Sequence, residues 1–102
     1  MTEAERTVFK KALVEYGILS QKMMAIEECA ELTNALAKLS RGRASQADII
    51  TELADVSIMV DQLAMFFGEK DFVEERSRKV RRLEERLRVC KTYDQRKMNN
   101  GF

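Results

Sequence analysis

Carboxylates are the groups in this chain placed to do chemistry, because two pairs of them sit among apolar neighbours. With Glu28 at zero on a helical wheel of about 100° per residue, Leu39, Leu32, Ala35, Met24, Ala25, Leu36 and Cys29 all fall within about 100° of it. Glu28 is therefore central to an apolar arc, and Glu31, three residues on, lies at its edge beside Glu27. The pattern repeats around Glu52, which is surrounded by Leu63, Val56, Met59, Phe66, Ile49, Phe67 and Val60, with Asp55 at the edge. An uncompensated carboxylate in a helical core costs several kcal/mol, and four together repel strongly. Protonation, cationic side chains or metal ions can relieve that cost. Neither arc places Lys or Arg at its centre. Four oxygen donors without a nitrogen or sulfur partner suit a hard cation, Mg²⁺ or Mn²⁺. A di-iron bundle would need Glu-x-x-His on two helices, and the chain has no histidine.

The elements that must position these acids are marked by helix punctuation. Thr2 with Glu5 reads as a capping box, and Gly17 as the stop of a first helix over about residues 3–16, whose apolar stripe is Val8, Phe9, Leu13 and Tyr16. Ser20 is placed to cap a second helix running to about Leu39, where Ser40-Arg41-Gly42-Arg43 supplies a turn. Ser45 caps a third helix through Phe67, ended by Gly68; Asp71 with Glu74 forms a capping box for a fourth, continuing to about Lys91. The stretch TYDQRKMNNGF (92–102) has no periodicity and is expected to fray. The expectation is one all-α, four-helix domain over residues 1–102, with a core over about residues 3–91. The second and third helices form an antiparallel hairpin on which the acidic pairs meet.

Composition agrees and narrows the function. The 102 residues include no proline, 4 glycines and 34% charged residues, which favours long helices with short connections. The absence of histidine excludes Ser-His and Cys-His nucleophiles and the usual His-rich zinc site. Cys29 and Cys90 have no CxxC spacing, so neither a zinc ribbon nor a redox motif is expected. A formal net charge of +1 gives no basic excess for a nucleic-acid polymer or a membrane surface. The polar start MTEAER has no apolar stretch, so no leader or span is expected and the cytoplasm is the default location.

Glu27-Glu28-Cys29-Ala30-Glu31, followed after 20 residues by Glu52-Leu53-Ala54-Asp55, matches the pattern EExxE…ExxD. In this the chain resembles the all-α nucleoside triphosphate pyrophosphohydrolases, the MazG-like and dimeric dUTPase-like superfamily. AIEECAELTNALAKL and IITELADVSIMVDQL look like its two core helices, KVRRLEERL looks like its later basic helix, and the resemblance covers roughly residues 17–90. It implies a MazG-like domain with its active site on the hairpin of helices 2 and 3. It also implies Mg²⁺-dependent hydrolysis of a nucleoside triphosphate, canonical or not, between the α and β phosphates to a monophosphate and pyrophosphate. Glu28, Glu31, Glu52 and Asp55 would then be the metal ligands, and Glu27 the base acting on the attacking water. Nucleotide-pool sanitation by a homo-oligomer, a dimer or dimer of dimers, is the implied role.

Charge is unevenly spread along the chain. Residues 1–68 carry 7 basic and 10 acidic groups, and residues 69–102 carry 11 basic and 7 acidic. The family's Lys-x-x-Arg is matched by Lys79 and Arg82, which the resemblance makes phosphate-binding residues. The competing description is a solvated face, with Glu74–Arg78, Glu75–Lys79 and Glu84–Arg88 as ordinary i, i+4 pairs. Along the same helix Val73, Val80, Leu83, Leu87 and Cys90 form an apolar stripe suited to core packing or a subunit contact. The alternative for the whole chain is a non-catalytic helical oligomer that binds a nucleotide or partner protein through the same acidic metal site.

Overall fold

The computed structural model describes residues 1–89, which form four α-helices with no strand: α1 (Glu3–Tyr16), α2 (Ile18–Ser40), α3 (Gln46–Phe67) and α4 (Glu69–Val89). The expected end of the fourth helix at Lys91, the stripe residue Cys90 and the 92–102 tail lie outside the described residues. The chain divides into two compact units, Met1–Glu69 and the segment beginning at Lys70.

In the first unit the helix boundaries follow local chemistry. The Thr2 backbone N–H donates to Glu5 Oε1 at 2.8 Å and the Glu5 N–H donates to Thr2 Oγ1 at 3.1 Å, closing the capping box of α1. Gly17, at φ +81°, ends α1 and starts α2 by itself. The expected cap at Ser20 is therefore not made: Ser20 lies inside the first turn of α2, which has no side-chain cap. Ser45 and Asp48 form a second reciprocal capping box at the start of α3, with distances of 2.8 and 3.2 Å. Gly68, at φ +140°, ends α3, and α4 starts at the next residue. The expected Asp71–Glu74 box is displaced for the same reason. One glycine interrupts the helix, which resumes at Glu69 before Asp71 is reached.

Helices α2 and α3 are the main packed pair, and α1 packs against both. Two side-chain meetings set the register. Gln21 Nε2 donates to Gln62 Oε1 at 2.6 Å, and Glu31 meets Glu52. Ten residues forward on α2 correspond to ten residues back on α3, so the pair is antiparallel, as expected. Ala25 and Ala35 on α2, Met59 and Ala64 on α3, and Phe9 on α1 are the buried apolar residues. Of the expected α1 stripe, Phe9 is buried and Leu13 half-buried, whereas Val8 and Tyr16 are exposed. Arg6 on α1 pairs with Glu69, tying the start of the unit to its end.

In the second unit α4 carries its charges as pairs along its own surface. Arg78 pairs with Glu75 rather than with the expected Glu74, Lys79 Nζ lies 3.9 Å from Glu75 Oε1, and Arg88 donates to Glu84 at 3.1 Å. Glu75 thus faces both cations, three and four residues on, as helical spacing allows. No helix among the described residues is long and apolar enough to cross a membrane.

Candidate metal centre

The antiparallel register of α2 and α3 brings the two acidic motifs together. Glu28, Glu31 and Glu52 each present a carboxylate oxygen, and the three oxygens lie within 4.8 Å of one another. Glu28 and Glu52, central to the two apolar arcs, are half-buried; Glu31, at the arc edge, is exposed. Asp55 is half-buried and stands outside this closest group, yet its charge acts on both Glu28 and Glu52. Glu27 is exposed and is not part of the cluster.

The electrostatics are those of acids crowded without counter-charge. Burial raises the Glu28 carboxyl above the ordinary glutamate value of 4.5, and the neighbouring charges of Glu31, Asp55 and Glu52 raise it further. Glu52 is raised in the same way, first by burial and then by Glu31 and Asp55, with Asp48 adding to them. Glu28 Oε2 and Glu52 Oε2 are both shielded from solvent and have no hydrogen-bond partner. A buried polar atom without a partner is costly, so native folds rarely keep one without a use for it. Two such atoms, one from each helix and both carboxylate oxygens, form a donor set that fits a hard divalent cation, Mg²⁺ or Mn²⁺.

An open, polar pocket of about 380 Å³ extends from these acids toward the α2–α3 turn. It is lined by Glu31 and Glu52 together with Lys38, Arg43 and Asp48. A larger groove of about 830 Å³ is lined by residues of α1 alone, among them Val8, Ala12 and Tyr16. Its surface is mostly apolar, with Lys10, Lys11 and Glu15 along it, and every lining residue comes from one helix, so it is an uncovered helix face rather than a site.

Lys79 and Arg82 are exposed on α4 in the second unit, with Glu75 the acid nearest Lys79. Sequence reasoning missed two features. One is the buried Gln21–Gln62 pair, signalled only by polar residues falling on the seam faces of α2 and α3. The other is the presence of Lys38 and Arg43 in the pocket that also holds Glu31 and Glu52. Cys29, next to Glu28 in sequence, is exposed and free. Comparison of the chain with protein-family models, curated proteins and solved structures yields no match.

Proposed function

We propose that this protein is a MazG-like nucleoside triphosphate pyrophosphohydrolase, using a divalent cation, Mg²⁺ or Mn²⁺, held on the α2–α3 hairpin. The observation that carries the reading is a pair of buried, partnerless oxygens, one on Glu28 and one on Glu52, in carboxylates that cluster with Glu31 across the helix seam. A protein-only role for the cluster would leave one buried oxygen of each carboxylate without a partner and the charges mutually repelling.

In this proposal Glu28, Glu31 and Glu52 hold the cation, with Asp55 completing the set beside them. A bound magnesium ion supplies neutralisation of phosphate charge and makes nearby water more acidic. Glu27 precedes Glu28 directly and is exposed, so it is open to solvent from which a water nucleophile would come. Its role is to orient that water and accept its proton as the water attacks the α phosphorus. The leaving group is pyrophosphate, and the nucleoside monophosphate carries the new P–O bond. No covalent enzyme intermediate is required. Lys79 and Arg82 enter the proposal on sequence grounds alone, through the family's Lys-x-x-Arg. A homo-oligomer enters in the same way, and the exposed Leu19, Ile26 and Phe67 of the first unit offer it apolar surface to bury.

The test is a panel of NTPs and dNTPs incubated with MgCl₂ and analysed chromatographically. Monophosphate and pyrophosphate in equal amounts are the expected products. Orthophosphate as the product, or no turnover of any nucleotide, would sink the enzymatic reading and leave the non-catalytic oligomer.

A further inference from the structure

The last turn of α2 and the loop that follows it contribute two cations, Lys38 and Arg43, to one pocket. At the end of α2 the Gly42 N–H donates to Leu39 O at 3.0 Å and the Arg43 N–H donates to Lys38 O at 2.8 Å. Gly42 has φ +71°. This is the Schellman arrangement, in which a left-handed glycine lets two successive amides cap the last carbonyls of a helix. The two side chains it brings together, that of the residue after the glycine and that of the residue five before it, commonly make an apolar contact. Here they are Arg43 and Lys38, two like charges where a hydrophobic pair is usual.

The helix macrodipole accounts for one of them, because a cation in the last turn of α2 is favourable there. It does not account for Arg43 in the same pocket. Neither Lys38 nor Arg43 forms an ion pair within 4.0 Å among the described residues, although Glu31, Glu52 and Asp48 line the same cavity and, after the Ser45 hydrogen bonds, the Lys38 charge helps to hold the Asp48 carboxyl below its ordinary value. The Asp48 carboxylate is already committed to the Ser45 N–H at 2.8 Å. An ammonium and a guanidinium thus line the same pocket as Glu31 and Glu52 of the acidic cluster. Lys38 is seven residues, about two helical turns or ~10 Å, from Glu31.

We propose that Lys38 and Arg43 form a clamp for the pyrophosphate end of the substrate. The phosphate chain then runs from the acidic cluster toward the α2–α3 turn, and the nucleoside lies on the opposite side. The proposal rests on the pyrophosphohydrolase reading for the identity of the substrate, but not for the clamp itself. An anion between the two side chains relieves their mutual repulsion, and a fork-shaped guanidinium beside an ammonium matches a multi-oxygen phosphate. Both side chains are exposed, so replacing them leaves the backbone hydrogen bonds of the turn in place.

The test is calorimetric titration of inorganic pyrophosphate into the protein in MgCl₂, with no turnover involved. Lys38→Gln/Arg43→Gln is expected to weaken pyrophosphate binding at least about tenfold, as loss of charge-assisted hydrogen bonds does. Lys10→Gln/Lys11→Gln, which removes the same charge from α1, is expected to bind as wild type, and Lys38→Arg/Arg43→Lys to retain most of the affinity. Wild-type binding by Lys38→Gln/Arg43→Gln, an equal loss in the α1 variant, or no binding by the wild type would each overturn the clamp. The two readings fail separately. Pyrophosphate binding that needs Lys38 and Arg43 in a protein that turns over no nucleotide removes the enzymatic reading alone. Nucleotide turnover by Lys38→Gln/Arg43→Gln with unchanged KM and unchanged pyrophosphate inhibition removes the clamp alone.

Discussion

The seam between α2 and α3 is crossed by polar side chains at two places, and they are handled in opposite ways. Near the α1 end Gln21 and Gln62 are both buried, at 6% and 5% exposure; the Gln21 amide donates to Gln62 Oε1 at 2.6 Å and the Gln62 amide to Met59 Sδ. Ten residues further along α2, Glu31, Glu28 and Glu52 meet with two carboxylate oxygens buried and unpartnered. Amides carry both donor and acceptor, so a pair of them can close on itself. Carboxylates carry only acceptors when ionised, so a cluster of them needs a proton or a cation to close it. The first crossing is a structural lock and the second is the proposed site.

The largest expected effect separates the crossings by activity. Glu52→Gln removes a proposed ligand while keeping shape, and turnover of the best nucleotide should fall at least about 100-fold with the helical circular dichroism unchanged. Full activity in that variant would detach the acids from the chemistry. The second effect is on stability. Gln62→Leu strands the buried Gln21 amide and should cost about 1–3 kcal/mol in chemical denaturation, whereas Gln21→Leu with Gln62→Leu should recover most of it. If the double variant is as unstable as the single one, the pair is not a self-contained lock.

A third expectation concerns pH in the metal-free protein. The Glu28 and Glu52 carboxyls titrate above their ordinary value of 4.5 because the folded state disfavours their charge. Stability from them is therefore fully present below the unfolded value and lost as pH rises through the raised folded value. Melting in EDTA should rise as pH is lowered from neutral toward 4.5. The cap acids Glu5 and Asp48 behave oppositely: hydrogen bonds from Thr2 and Ser45 hold them below their ordinary values of 4.5 and 3.8. Their contribution is present above the unfolded values and lost as pH falls through the folded ones, so further acidification should reverse the gain. A melting temperature that falls steadily from neutral pH downward would contradict the strained acidic crossing. The smallest effect is at the turn. Gly42→Ala meets no neighbouring atom but forces a Cβ into the left-handed region, costing about 1 kcal/mol.

Much of this was legible in residue spacing. Gly17, Gly68, the Thr2–Glu5 box and the Ser45 cap mark real helix ends, since each acts on its own few neighbours. Ser20 and Asp71 misled because a glycine a few residues earlier had already restarted the helix, and propensity rules do not rank competing signals. The central place of Glu28 and Glu52 on their arcs followed from helical periodicity, which survives into the packed pair. Periodicity and the hairpin placed the acidic pairs together, but not the other side chains that meet along the seam. The Gln21–Gln62 pair and the placing of Lys38 and Arg43 in the pocket of Glu31 and Glu52 depend on register, and register is a property of two helices at once. Exposure at Val8, Val60 and Phe67 likewise follows from what covers each helix.

The central claim is that the unsatisfied acids await a divalent cation. Thermal melting of wild type and Glu52→Gln, each in EDTA and in MgCl₂, tests it most directly. The account predicts that the orders cross: Glu52→Gln melts higher without metal, because one repelling charge is gone, and Mg²⁺ raises the wild type by several degrees but not the variant. An equal Mg²⁺ response in both proteins, or none in the wild type, would contradict it.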